Sequence, residues 1–188
     1  MVIMMHVLLL SNLVMLCTSG CVIGDVPDVL RMNMTHSEDF SGFYLNLNKS
    51  AQCYGQIVSW MGCYYLEEGN VLTHIELDVG IWRPTMDGYK LIGNLSKLTT
   101  PPVNPSYTFI CRTWDLSCED RLSVEQGDVI GVYLSSTEMR FKVLGSVEGG
   151  SVYRKESQRN EANILNELNP VFGYGLYIEA TIGECCHC

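Results

Sequence analysis

The sequence is poor in positive charge and in histidine. It contains 12 lysine and arginine residues against 21 aspartate and glutamate residues, which gives a formal net charge of −9 at pH 7. A net negative chain carries the wrong sign for wrapping DNA or for binding an anionic membrane. Only four histidines occur in 188 residues, and the motifs G-x-S-x-G, H-E-x-x-H and the glycine-rich phosphate loop are missing. We therefore expect no nucleic-acid partner, no cofactor, no metal and no enzymatic activity.

Charge is also missing from the N-terminus. Residues 1–24 contain no Asp, Glu, Lys or Arg, and residues 7–16 read VLLLSNLVML. This apolar run has the length of a signal-peptide core and is too short to span a membrane comfortably. We predict a signal peptide over residues 1–19, with an uncleaved anchor or a lipoprotein box ending at Cys21 as alternatives. No second run of this length follows, so we expect a secreted protein with no transmembrane span in the mature chain.

Two further features indicate export. The sequence carries N-glycosylation acceptors at Asn33, Asn48 and Asn94. Removal of Cys17 with the leader turns nine cysteines into eight, and an even number suits an oxidising compartment. We therefore predict an extracellular, disulfide-bonded glycoprotein.

The mature sequence has the pattern of short strands. Its hydrophobic content of 47% and charged content of 18% exclude disorder as the main state. Residues 71–82 are rich in β-branched side chains, and Asp87-Gly88 between two such runs predicts a hairpin with a type I′ turn. Only residues 159–168 have a helical pattern, which ends before Pro170. The sequence predicts an all-β, antiparallel, jelly-roll-like sandwich with one short helix near 159–168.

We divide the chain into four parts. The leader (1–19) is followed by an N-terminal segment (20–52), a β-sandwich domain (53–184) and a cysteine-rich tail (185–188). The segment before Cys53 is mixed and polar, whereas the strand pattern starts at Cys53.

Three motifs of the sandwich region carry a resemblance. They are Cys53-Tyr-Gly with Trp60 and Cys63-Tyr-Tyr, then Ile81-Trp-Arg-Pro, then Gly127-Asp-Val-Ile-Gly-Val-Tyr. Together they resemble an extracellular β-sandwich module of uncharacterised animal secreted and cell-surface proteins, over roughly residues 52–181. The resemblance implies a binding or adhesion module and supplies no catalytic residues.

Four cysteines of the sandwich region are candidates for disulfides. If Cys53 and Cys63 lie on one extended strand, their Cα atoms are about 33 Å apart, which is too far for a bond between them. Cys111 and Cys118 flank a short loop, and we predict that they pair with each other. We expect Cys53 and Cys63 to have other partners.

The tail contains three further cysteines, Cys185, Cys186 and Cys188. We expect disulfides here, with Cys21 or a second chain as partner, so that a disulfide-linked oligomer is one alternative. A metal site and a truncated gene model are the others.

Tryptophans suggest where a partner binds. Trp60 and Trp82 are expected in the core of a sandwich. Trp114 lies in the predicted loop between Cys111 and Cys118, and large aromatic side chains in loops are frequent binding hot spots. We predict a binding site formed by Trp114 with its neighbours Arg112 and Asp115, and by Arg83.

These observations leave three hypotheses for function. The first is a non-enzymatic module that binds a protein or glycan partner through loops. The second is a soluble ligand or structural subunit that oligomerises through a sheet face or the cysteine tail. The third is a small secreted hydrolase that uses loop carboxylates, such as Glu67-Glu68 or Glu119-Asp120. A calcium site at Asp115, Glu119 and Asp120 is a further alternative.

We predict that Trp114→Ala lowers binding to the natural partner without unfolding the domain. The binding assay should be paired with near-UV circular dichroism and thermal unfolding. A variant that loses its near-UV signal and melts early would instead place Trp114 in the core.

Overall fold

The computed structural model describes residues 21–25, 42–66, 75–100, 109–134, 141–142, 144–155, 158 and 163–183. The predicted leader, Asn33 and the three tail cysteines lie outside these residues. The described part forms two sheets in which all strand pairs are antiparallel.

The first sheet is built around one long strand. Its strands are β1 (Cys21–Asp25), β3 (Gly55–Leu66), β6 (Phe109–Asp115), β7 (Ser123–Val124), β9 (Phe141–Lys142) and β13 (Ile178–Gly183). The order is β1-β13-β3-β6, and β7 and β9 also pair with β3. Four strands therefore depend on β3 for their backbone hydrogen bonds.

The second sheet has seven strands in the order β11-β5-β4-β8-β2-β10-β12. They are β2 (Gly42–Leu45), β4 (Ile75–Thr85), β5 (Gly88–Thr100), β8 (Val129–Leu134), β10 (Leu144–Lys155), β11 (Ile164–Leu165) and β12 (Asn169–Leu176). The turn at Met86-Asp87 joins β4 to β5, and Thr85 pairs with Gly88, so the predicted hairpin is confirmed. The predicted type I′ turn is wrong, because neither Met86 nor Asp87 has a positive φ. Gly88 has φ of 130°, and a Cβ there would collide with the carbonyl oxygen of Leu165.

The main core lies between the two sheets. Trp60 of β3 is fully buried, and it shares one apolar cluster with Ile81 and Ile130 of the second sheet. In β13 the side chains alternate, so that Ile178, Ala180 and Ile182 are buried whereas the residues between them are half-buried. Full burial of one isoleucine contributes about 1.5–3 kcal/mol. The predicted all-β, antiparallel, disulfide-bonded sandwich is confirmed, while its jelly-roll-like strand order remains a prediction.

The second sheet also has a buried outer face. Phe43, Trp82 and Val129 each neighbour a residue of the main core along their strand, and therefore point to the opposite side. There they form a second cluster, in which the rings of Phe43 and Trp82 meet edge-on at 5.8 Å. Leu165 of β11 belongs to this cluster and is 1% exposed. Trp60 and Trp82 are thus both buried, but in different clusters.

Two strands of the predicted N-terminal segment (20–52), β1 and β2, belong to the sandwich, so its described strands begin before the predicted start at Cys53. β1 pairs with β13 in the first sheet, and β2 lies between β8 and β10 in the second. The run of β2, Gly-Phe-Tyr-Leu, is buried on both faces. It therefore lacks the alternation of apolar and polar residues that identifies a half-exposed strand.

The short helix predicted near 159–168 is also wrong within the described residues. Asn163 lies in a turn, and Ile164 and Leu165 form β11, which pairs with Lys90 and Tyr89 of β5. Leu165 is buried and Ile164 is 55% exposed, as expected for neighbours on a strand. The asparagines of this stretch favour turns over helix. No helix of the described part is long and apolar enough to cross a membrane.

The structure contains disulfides between Cys21 and Cys53 and between Cys63 and Cys111. Cys63 and Cys111 face each other directly on β3 and β6, so the predicted pair of Cys111 with Cys118 is wrong. The expectation that Cys53 and Cys63 bond to other cysteines is confirmed. Cys118 is disulfide-bonded as well, and its partner is not one of the described cysteines, because the other four bond to each other.

This connectivity can be tested by tryptic digestion without reduction. Cleavage after Arg112 and Arg121 releases residues 113–121, in which Cys118 is the only cysteine, separately from residues 98–112, which carry Cys111. We expect mass spectrometry to find residues 98–112 disulfide-linked to residues 50–90, the peptide that carries Cys53 and Cys63. A direct link between residues 98–112 and 113–121 would contradict the structure.

Candidate functional site

Arg83 is held by two carboxylates, those of Asp128 and Glu125. Its Nε and Nη2 donate to the two oxygens of Asp128, each at 2.9 Å, and its Nη1 donates to Oε1 of Glu125 at 2.7 Å. The hydrogen bond with Asp128 is the largest cause that raises the pKa of Arg83 above its usual value. Asp128 is fully buried whereas Arg83 is 30% exposed at its side chain.

This ion pair organises the turn that leads into β8. Asp128 also accepts a hydrogen bond from the backbone N–H of Glu125 at 2.8 Å. Ala51 is tied to the same turn, because its N–H donates to the carbonyl of Asp128 and its carbonyl accepts from Gly127. A buried carboxylate needs such partners, so the structure gives Arg83 a stabilising role at this turn.

Trp114 lies in a strand and not in a disulfide-closed loop. It pairs with Trp60 across β3 and β6, and its indole Nε1 donates to the carbonyl of Thr99 at 2.7 Å. Its ring packs over Gly62, where an added Cβ would lie 3.2 Å from the ring. Half-buried, Trp114 closes the edge of the main core. Because Trp114→Ala removes this packing, we expect the variant domain to unfold at a lower temperature than the wild type. This differs from the prediction made from the sequence.

The four predicted binding residues do not converge. Arg112 and Trp114 share one face of β6, whereas Asp115 points to the other. Arg83 lies on β4 of the second sheet. Trp114 is hydrogen-bonded to Thr99, whose partner on β4 is Glu76, seven residues before Arg83. At about 3.3 Å per residue, roughly 20 Å separate Arg83 from the end of the sandwich where Trp114 lies. Arg112 and Asp115 are exposed, so the surface near β6 retains two of the predicted residues.

The loop between β6 and β7 (residues 116–122) is pinned at both ends to β3. Leu116 donates its N–H to the carbonyl of Val58 at 2.8 Å, and the carbonyl of Leu122 accepts from Ile57 at 2.9 Å. The chain therefore pairs with β3 as β6, leaves β3 to form the loop, and pairs with β3 again as β7.

Inside this loop a 3₁₀ turn spans Cys118–Asp120. The hydroxyl of Ser117 donates to Oδ2 of Asp120 at 2.6 Å, and the N–H of Asp120 donates to the carbonyl of Ser117 at 3.1 Å. Glu119 and Asp120 remain exposed. The turn thus presents two carboxylates on a backbone held by hydrogen bonds.

A bulge of β5 faces this loop. Ile92 pairs with Ile81 and Ser96 pairs with Val79, so residues 93–95 lie opposite the single residue Gly80. Gly93 has φ of 71°, and a Cβ there would lie 2.7 Å from the side chain of Leu122. A bulge projects side chains out of the regular pleat, and Asn94 is exposed on it.

A cleft of about 380 Å³ lies between the bulge and the loop. One wall is formed by β5 and the other by the loop; the lining residues are Gly93, Asn94, Leu95, Ser96, Lys97, Leu98, Leu116, Glu119, Asp120 and Leu122. Three of the leucines also pack against the main core. A volume of this size falls at the lower end of ligand pockets, so we take the cleft as the candidate site.

The polar groups of the cleft are divided between its walls. Glu119 and Asp120 lie on the loop, and Asn94, Ser96 and Lys97 lie on β5. The two carboxylates thus share one wall, whereas a glycosidase needs a pair that flanks the substrate. Among the described residues, no group of three or more histidine, cysteine, aspartate or glutamate side chains is arranged to hold a metal ion. The geometry suits contacts with a polar or charged ligand.

The sequence-based prediction missed the β5 wall of the cleft. The one feature of the sequence that points to this wall is Asn94-Leu-Ser directly after a glycine, and by itself it indicates only a glycosylation site. The contact between Gly93 of β5 and Leu122 of the loop joins residues 29 positions apart, and no local pattern encodes it.

Comparison of the chain with models of known protein families, with curated proteins and with solved structures found no match.

The role of Arg83 can be tested by Arg83→Met. Loss of the guanidinium leaves buried Asp128 without its charged partner, so we expect a loss of about 3 kcal/mol in the free energy of unfolding. Urea titration followed by tryptophan fluorescence measures it. Arg112→Met, which removes an exposed arginine, is the matched control and should change the stability by less than about 0.5 kcal/mol. Equal effects of the two substitutions would contradict a stabilising role for Arg83.

Proposed function

We propose that this chain is a secreted, non-enzymatic β-sandwich module that binds a partner through the cleft and the 116–122 loop. The observation that carries the proposal is the anchoring of the loop to Ile57 and Val58 of β3. A loop already ordered before binding costs less conformational entropy when the partner docks. An anchored loop beside a cleft is therefore a suitable recognition surface.

The charge of the surface favours one kind of partner. Asp115, Glu119 and Asp120 are exposed, and the whole chain has a net charge of −9. Complementary charge speeds association and disfavours partners of like charge. Within the predicted class of protein or glycan partners, this favours a basic protein surface over an anionic glycan.

Two features support an extracellular location. Intramolecular disulfides such as Cys21–Cys53 and Cys63–Cys111 are typical of oxidising compartments. The acceptor residues Asn48 and Asn94 are both exposed, so an oligosaccharide can reach them. Both features fit the proposed secretion.

An oligomerising ligand or structural subunit is the second candidate. Phe172 is 75% exposed on β12, the last strand in the order of the second sheet. An exposed aromatic side chain on an edge strand is a natural contact between copies. A tail crosslink would appear as a larger species on a non-reducing gel that disappears on reduction.

Secretion is tested by expressing the whole chain with a C-terminal tag in cultured animal cells. We expect the protein in the medium, with a mobility that increases after treatment with peptide N-glycosidase. Retention of an unshifted chain inside the cells would contradict both the proposed export and the proposed glycosylation.

Binding is tested on cultured animal cells with a fluorescent tetramer of the secreted protein from which peptide N-glycosidase has removed the N-linked glycans. We expect Glu119→Lys to weaken binding about fivefold, because it reverses a charge on the loop. Asp87→Lys reverses an exposed charge at the tip of the β4–β5 hairpin, away from the loop, and is the matched control. Loss of the signal after protease treatment of the cells identifies a protein partner, and loss after glycosidase treatment identifies a glycan. Equal binding by both variants would contradict a role for the loop.

A further inference from the structure

The cleft carries one of the glycosylation acceptors in its own wall. Asn94 lines the cleft on the β5 side, opposite Glu119 and Asp120. It lies on the bulge of residues 93–95, whose position is restricted because Gly93 contacts Leu122. The neighbouring side chain of Leu95 packs against the outer cluster of the second sheet. Asn94 is therefore held at the cleft by contacts on both sides of it.

We propose that an N-linked glycan on Asn94 covers this cleft and thereby controls access to the loop carboxylates. This inference rests on the proposed secretion, because the glycan is added in the secretory pathway. A lipid-linked oligosaccharide diphosphate is the donor. The Nδ2 atom of Asn94 forms a bond to C1 of the first sugar, the bond from C1 to the diphosphate breaks, the lipid diphosphate leaves and the amide loses one proton.

The size of the cleft makes this covering effective. Its volume of about 380 Å³ is small, and the first sugar is attached to a residue that lines it. The sugars next to Asn94 therefore occupy the space in front of Glu119 and Asp120. A partner reaches these carboxylates only on molecules that lack the glycan, so the two glycoforms differ in binding.

The chain provides a matched control in Asn48. This acceptor is exposed in the turn that follows β2, and it is not among the lining residues of the cleft. A glycan there adds the same mass and hydrophilicity but leaves the cleft open.

The test measures how fast the carboxylates of Glu119 and Asp120 react with a water-soluble carbodiimide and glycine ethyl ester. Tryptic peptides report both sides of the cleft, because residues 91–97 carry Asn94 and residues 113–121 carry the two carboxylates. We expect at least threefold faster labelling of Glu119 and Asp120 in secreted Asn94→Gln than in the secreted wild type. Ser96→Ala, which abolishes the acceptor sequence but keeps Asn94, should behave like Asn94→Gln.

The Asn48→Gln protein should label at the wild-type rate, and Asp87 at the hairpin tip serves as a reference in every sample. Equal labelling of Glu119 and Asp120 in the wild type and Asn94→Gln, with Asn94 occupied, overturns the inference. A secreted protein with a glycan on Asn48 and none on Asn94 also overturns it and leaves the proposed function standing. Failure of the chain to reach the medium overturns the proposed secretion and the inference together.

Discussion

The backbone of β3 holds the candidate site in place. This strand pairs with β6, leaves a gap where the chain makes its excursion, and pairs with β7 when the chain returns. The two hydrogen bonds at the gap, to Val58 and from Ile57, fix where the loop begins and ends. Without β3 as a common partner, no backbone hydrogen bonds would hold the two ends of the loop at fixed positions. The cleft is thus a consequence of the strand pairing in the first sheet.

The second wall of the cleft depends on a different device. The bulge of β5 moves three residues out of the regular pairing with β4, at the position where Gly80 leaves room. A Cβ on Gly80 would approach Leu91 and Leu95 to 2.9 and 3.0 Å, so the small residue allows the bulge to fold over it. The two walls come from different sheets, and they meet because Leu122 packs beside Gly93.

Local patterns were sufficient to predict the fold class, but not the contacts between distant parts of the chain. The Asp87-Gly88 dipeptide and the strand-rich pattern identified the hairpin and the antiparallel sandwich, because these depend on neighbouring residues. The partner of Cys111 and the partner of Arg83 depend on register between strands 45 or more residues apart. The spacing of Cys111 and Cys118 suggested a loop disulfide, yet β6 points Cys111 at Cys63. In the candidate site, only Asn94 and the exposed loop acids could be named in advance.

The buried outer face of the second sheet makes that sheet a middle layer. Strands such as β2 are covered by the first sheet on one side and by a short, separate cluster on the other. Free energies of local opening differ between parts of a protein, and small peripheral elements open first. β11, which has two residues and pairs only with β5 among the described strands, is such an element. Its release would remove Leu165 from the cluster that contains Trp82 and Phe43, so apolar surface would become exposed there while the main sandwich stays folded.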